Sequence, residues 1–213
     1  MMETVCELNN ISKAYNDRTV LKKFSLTVNK GELLGISGAS GKGKSTLLNM
    51  MGLLDKPDSG DVLLFGKKNL KISSKEAMLL LRYKIFYLFQ NFALIDDKSI
   101  DYNLDIALSY DPEEKVEKNK KKEKALSEVG IHMDRKRKVY SLSGGEQQRV
   151  ALARGILKPC ELILADEPTG SVDQKNRDII LEILKRMNES GKTIVIVSHD
   201  PNVMDKCDRV IEL

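Results

Sequence analysis

Gly38-Ala39-Ser40-Gly41-Lys42-Gly43-Lys44-Ser45-Thr46 lies between a short aliphatic run, Leu33-Leu34-Gly35-Ile36, and a stretch with Leu47, Leu48, Met51 and Leu54 on one side of a helix predicted from Lys44 to Leu54. A glycine, four residues and then Gly-Lys-Ser, after a strand and before a helix, is the phosphate-loop pattern in the context that confirms it. Glycines let the backbone curl so that successive N–H groups point at one phosphate, and the helix N-terminus adds its dipole. In that pattern Lys44 reaches the β and γ phosphates of a nucleotide and the Ser45 hydroxyl ligates Mg²⁺. Gly38, Ala39, Ser40, Gly41, Lys42, Gly43 and Thr46 complete the candidate nucleotide contacts.

The strands that would flank this loop are legible downstream. Leu162-Ile-Leu-Ala165 and Thr193-Ile-Val-Ile-Val197 are near-continuous apolar runs, as in a parallel sheet buried on both faces. Between them Asp178 to Glu189 reads as a crossover helix, ended by Gly191. Asp166 and Glu167 follow the first run, which delivers both carboxylates to the C-terminal edge of the sheet beside the phosphate loop. Asp166 is then placed to hold Mg²⁺ through water, and Glu167 to polarise an attacking water.

Elsewhere, Val5 to Ile11 and Leu21 to Val28 alternate around Tyr15-Asn-Asp-Arg18 and read as antiparallel strands. Val62 to Phe65 and Ile85 to Phe89 are further strands, and Ser73 to Tyr83 is helical. Residues 91 to 158 lack strand signals and carry helix formers. The expected fold is α/β, a phosphate-loop NTPase core with a parallel sheet, an N-terminal antiparallel β layer and an inserted helical subdomain. It forms one domain over 1–213, with 1–90 and 159–213 as core and 91–158 as the helical part.

Composition agrees with one globular unit: 213 residues, 41% hydrophobic and 31% charged, with no Trp and only 5% aromatics, so aliphatic packing carries the core. No apolar stretch approaches the roughly 18 to 20 residues that span a bilayer, and an early acid argues against a secretory signal. The three cysteines, Cys6, Cys160 and Cys207, have no CxxC spacing and suggest neither disulfides nor zinc. Residues 113 to 138 hold ten Lys or Arg against six Asp or Glu, which accounts for the whole net charge of +4. One local cluster is not a general basic surface, and no nucleic acid is expected. Glu114 with Lys118 and Glu117 with Lys121 are spaced for pairs on a solvated helix face, and His132 reads as a surface residue.

Leu142-Ser143-Gly144-Gly145-Glu146-Gln147-Gln148-Arg149 fits a capping box, Ser143 as N-cap and Glu146 three residues on. Two glycines beside a helix N-terminus expose bare amides, a second anion site that the chain does not need for its own phosphate loop. It is free to hold the γ-phosphate bound by another copy.

These stretches, with the Leu162 to Glu167 strand and His199, resemble the nucleotide-binding subunit of ABC transporters over essentially the whole chain. The resemblance implies two copies that sandwich two ATP molecules head to tail, each held by the phosphate loop of one and Ser143, Gly144, Gly145 and Glu146 of the other. It implies that Tyr15 stacks on adenine and that Gln90 senses Mg²⁺ and water while its loop touches a membrane partner. Asp173 would lie in the loop that crosses the dimer interface, and His199 would contact the γ-phosphate. The cofactors are ATP and Mg²⁺. The partner is a separate membrane permease docking around Gln90 to Ile100, which places the chain in the cytoplasm on the inner face of the membrane.

Within the family, Gly52 to Gly60 and the compact length look similar to the branch serving lipoprotein release, macrolide-type efflux and peptide or bacteriocin export. Three features depart from the commonest pattern: Lys42 where a small residue is usual, Ser171-Val172 in the interface loop, and the end at Leu213. Lys42 either tightens nucleotide binding or points to solvent. A soluble ATPase acting on ribosomes or DNA is the rival, and it fits a single cassette without a long coiled coil less well. An adenylate-type kinase would leave Leu142 to Arg149 and His199 unexplained.

Overall fold

The computed structural model describes residues 3–16, 18–170 and 172–213; Asp17 of the expected turn and Ser171 of the expected interface loop lie outside them. Strands β1 (Thr4–Tyr15), β2 (Arg18–Asn29), β4 (Ser59–Leu64) and β5 (Lys67–Lys68) form an antiparallel sheet in the order β2-β1-β4-β5. Strands β3 (Leu33–Ser37), β6 (Ile85–Leu88), β7 (Leu162–Asp166), β8 (Thr193–Val197) and β9 (Arg209–Glu212) form a second, parallel sheet, β6-β7-β8-β3-β9.

The apolar runs are continuous because both faces of the parallel sheet are covered. Successive side chains alternate between two cores. Leu34, Ile36, Leu162, Leu164, Val195 and Val197 pack toward the antiparallel layer and helix α1 (Lys44–Met51), against Leu8, Ile11, Leu47 and Leu48. Leu33, Ile163, Ala165, Ile194 and Ile196 face the other way, onto α5 (Gly144–Leu157) and α6 (Gln174–Glu189). Truncating a fully buried residue such as Ile163 to Ala would cost about 2–5 kcal/mol.

Helix α1 stops three residues earlier than its apolar spacing suggests. Leu53 takes φ +57° and Leu54 N–H turns back to the Asn49 carbonyl, so Leu54 is expelled from the apolar side and is 49% exposed. Helix α2 (Lys75–Tyr83) is capped by Ser74, and α6 starts four residues before its expected beginning because Asp173 caps it. Gly191, at φ +96°, follows its last turn as expected.

Residues 91–158 are helical, with α3 (Ile100–Ala107) and α4 (Lys115–Glu128) packed on α5 and a 3₁₀ turn at Val139–Ser141. The expected pairs on α4 do not form among the described residues. Glu114 is the N-cap, with extended backbone that takes it off the helix surface, so it does not meet Lys118. Lys121 reaches back to Asp111 and Glu113, and Glu117 pairs with Lys120. Lys122 is no surface residue at all: it is 3% exposed, with Nζ 2.8 Å from both Asp101 and Asp105. Among the described residues, no helix is long and apolar enough to cross a membrane.

A short helix α7 (Pro201–Met204) follows β8. The loops after β3, β7 and β8 leave the same, C-terminal edge of the parallel sheet. That edge carries the site.

Candidate nucleotide site

At this edge a cleft of about 590 Å³ is lined by Tyr15, Ser40, Gly41, Gly43, Lys44, Ser45, Thr46, Gln90, Asp166, Glu167 and His199. Eleven residues from separate motifs thus converge on one cavity, with Val20, Gly170 and Val197 as further walls.

The phosphate loop is open where a ligand would sit. Gly43 is the N-cap of α1 at φ +96°, and a Cβ there would lie 2.7 Å from Val20 Cγ1, so only glycine fits. No side chain caps this terminus and no acid occupies its first turn, which leaves its amides and dipole for an anion. The buried Lys44 folds over the loop, Nζ donating to the carbonyls of Gly38 (2.7 Å) and Ala39 (3.0 Å). Gly38 and Ala39 therefore brace Lys44 rather than wall the cleft. Lys42 is exposed, does not line the cleft, and its ammonium has no ion-pair or hydrogen-bond partner among the described residues.

Across the cleft, Ser45 Oγ donates to Asp166 Oδ1 at 3.1 Å. Burial pushes the Asp166 carboxyl above the ordinary range, and the Ser45 hydrogen bond and Lys44 offset this only in part. Glu167 sits at φ +44°, a left-handed conformation that costs a non-glycine residue about 1 kcal/mol or more. Its N–H is tied to the Val197 carbonyl at 2.9 Å and its carbonyl accepts from Gly170. The carboxylate accepts from Ser198 Oγ at 3.2 Å and lies 2.8 Å from His199 Nδ1. Ser198 is fully buried; its sole sequence signal was adjacency to His199.

Tyr15 is held by its hydroxyl, which donates to Asp55 Oδ2 at 2.5 Å, while Lys13 Nζ binds Asp55 Oδ1 at 2.8 Å and lies 5.1 Å from the Tyr15 ring centre. The ring is 44% exposed and presents a flat wall to the cleft. Asp55, which fixes that ring, sits in a turn segment with no sequence sign of the role.

Ser143 to Glu146 and Asp173 do not line this cleft. The capping box forms: Ser143 Oγ accepts from Glu146 N–H, and the Glu146 carboxylate accepts from Ser143 N–H at 2.8 Å. That carboxylate meets the N–H and hydroxyl of Ser143, while the N–H groups of Gly144 and Gly145 make no hydrogen bond among the described residues. Gly145 is buried, and a Cβ there would lie 2.4 Å from Asn176 Cγ, so this glycine lets α5 and α6 approach. Asp173 caps α6 by accepting from Asn176 N–H at 2.8 Å, and Arg149 donates to the Asn176 side chain. The hydrogen bond from Asn176 N–H holds the Asp173 carboxyl below its usual range. Two motifs far apart in sequence are one hydrogen-bonded unit.

The family model described as "ABC transporter" matches residues 21–170. The chain is 37% identical to the macrolide export ATP-binding/permease protein MacB of Pasteurella multocida and 39% identical to that of Escherichia coli, each over all of this chain and 33% of the relative. It thus spans about a third of the length of these curated relatives. Among solved structures, the bacterial ABC transporter cassette MJ0796, solved as a dimer, superposes with a TM-score of 0.90 at 36% identity, over 98% of this chain and 94% of that one. The same cassette in a dimeric post-hydrolysis state, bound to ADP and Pi, gives the same values.

Proposed function

The chain belongs to the ABC transporter family, and from that premise we propose a division of labour among its residues and a partner for its surface. It is the ATP-binding, ATP-hydrolysing cassette. Two copies meet head to tail, the cleft of one closed by Ser143 to Glu146 and Asp173 of the other. The separation of these residues from the cleft supports this reading, as does the dimeric state of the similar cassette.

ATP enters with adenine against Tyr15 and its phosphates over the α1 terminus. Lys44 exchanges the Gly38 and Ala39 carbonyls for the β and γ phosphates. Ser45 and Asp166 bring two hard oxygen donors within 3.1 Å of each other, a set that suits Mg²⁺ completed by phosphate oxygens and water. When bound there, Mg²⁺ neutralises charge on the β and γ phosphates. Glu167 orients a water and takes its proton as the new O–P bond forms and the bond to the β-phosphate oxygen breaks, releasing ADP. His199 passes from Glu167 Oε1 to the γ-phosphate, which frees the carboxylate for water, and Gln90 reads the same water from the opposite wall.

The observation that carries this is the meeting of Ser45 with Asp166 and of His199 with Glu167 on one cleft. Glu167→Gln should bind ATP as the parent does, lose about 10²–10⁴-fold in turnover, and accumulate an ATP-dependent dimer in size-exclusion chromatography with light scattering. Turnover at the parent rate would remove Glu167 from the role.

A membrane permease as partner is supported by the similar relatives, which are ATP-binding/permease proteins. A groove of about 310 Å³ beside the Gln90 loop, walled by Leu54, Leu81, Phe89 and Ile106, is its docking place. Exposed Leu54 and Ile106 give it an apolar rim. The cassette then works at the inner face of the membrane, driving export of a peptide, bacteriocin, drug or lipoprotein, or mechanical work across the membrane. In this reading 1–90 with 159–213 is the catalytic core with its β layer, and 91–158 is the helical subdomain that carries Leu142 to Arg149.

A further inference from the structure

The docking groove contains two cations and nothing to balance them. Arg154 lies in the last turn of α5 and Lys158 is its C-cap residue, and none of the residues lining the groove is acidic. Lys158 Nζ donates to the Leu81 carbonyl at 2.5 Å, and Arg154 donates to the carbonyls of Ala93 (2.8 Å) and Phe92 (2.7 Å). Its Nε, fully buried, has no acceptor among the described residues. Carbonyls satisfy donors without cancelling charge. Burial accordingly pulls the Arg154 guanidinium down to about 10, and pulls Lys158 down as well.

Two buried cations elsewhere in the chain are balanced by acids. Lys122 has Asp101 and Asp105, and Lys13 has Asp55. Taking a charge from water is costly unless an opposite charge meets it. The docking groove resembles the nucleotide cleft in this respect, where Lys44 too has only carbonyls until an anion arrives.

Resting on the docking reading above, we infer that the permease segment seated in this groove carries a carboxylate side chain that pairs with Lys158, with Arg154 beside it. The consequence reaches the nucleotide cleft. Phe92 and Ala93, whose carbonyls Arg154 holds, are consecutive left-handed residues at φ +64° and +47°. They follow Gln90, which lines the cleft. A carboxylate drawing on Arg154 competes with those carbonyls and shifts a strained loop, so the presence of the permease is reported at Gln90 through charge as well as shape.

A zero-length carbodiimide reagent joins a lysine amine to a carboxylate only where the two touch. Applied to this cassette in its native membranes, it should give an amide between Lys158 and an Asp or Glu of a membrane-spanning segment, located by mass spectrometry of the cross-linked peptides. Lys158→Arg should keep membrane association and lose that amide, and Lys158→Glu should weaken association about tenfold or more with an unchanged thermal midpoint. Ile106→Cys, captured by thiol cross-linking, reports docking independently of charge. If Ile106→Cys captures a membrane segment while Lys158 yields no amide and Lys158→Glu associates as the parent does, docking stands and the carboxylate is refuted. If neither position captures a membrane segment, the docking reading falls and this inference with it.

Discussion

Two helix N-termini in this molecule are built for the same electrostatic task and prepared in opposite ways. α1 opens at Gly43 with no capping side chain and no acid in its first turn, whereas α5 opens at Ser143 with a closed capping box and the Glu146 carboxylate on the dipole end. Both ends carry about half a positive charge. The first leaves it wholly to a ligand; the second sets an acid of its own beside it. Anion affinity at a helix terminus is therefore set by what already sits there, and the α1 end should bind nucleotide by itself while the α5 end acts only when a partner's nucleotide is pressed against it.

The largest effect should come from the open end. Lys44→Ala removes the ammonium that the Gly38 and Ala39 carbonyls hold over the loop, and with it two charge-assisted hydrogen bonds to phosphate. At about 1.5–3 kcal/mol each, ATP should bind at least about 100-fold more weakly in equilibrium titration. An unchanged affinity would break the comparison at its stronger side. Ser143→Ala, by contrast, should leave the affinity of the monomer for ATP intact and abolish ATP-dependent dimerisation.

A smaller effect sharpens the closed end through pH. The hydrogen bond from Ser143 N–H holds the Glu146 carboxyl below its usual range. Its contribution to stability is thus present above the ordinary carboxylate pKa and is lost as pH falls through the lower, folded-state value. Glu146→Gln should cost about 1 kcal/mol or less at pH 7, a shift of roughly 2–4 °C in thermal midpoint, and the difference from the parent should shrink toward pH 3. Asp166 titrates in the opposite sense, because burial raises its carboxyl. Its ionised form costs stability above the raised value, so Asp166→Asn should melt higher at pH 7, lose that advantage as pH falls, and lose Mg²⁺-dependent turnover throughout.

The open end was legible in the sequence because its chemistry is written in consecutive residues between two apolar periodicities. The parallel strands were legible for the same reason: burial on both faces leaves no polar position in Leu162 to Ala165 or Ile194 to Val197. β9 gave no such signal, being short, charged and largely exposed at the sheet edge. The buried state of Lys122 was hidden inside a lysine run, since composition cannot say which lysine meets Asp101 and Asp105 across a helix interface. The left-handed turn at Glu167 and the Asp55 anchor of Tyr15 depend on contacts between residues far apart in the chain. Gly145 was read for its ligand chemistry and also serves helix packing, a second demand that one letter cannot display.

Lys42 offers the finest cut, because it adds a positive charge beside the open end without entering it. Its neighbours Gly41 and Gly43 line the cleft, while Lys42 is exposed outside it. An exposed ammonium is screened within about 8 Å at physiological ionic strength, and such a charge contributes little to a nearby anion. Lys42→Ser should therefore change the ATP dissociation constant by less than about twofold at 0.15 M salt, with a modest weakening that grows as salt is removed. A loss of about tenfold at that salt would mean that Lys42 turns into the cleft when nucleotide arrives. The open end would then owe its affinity to two cations, and bare amides with one lysine would no longer be enough to distinguish it from α5.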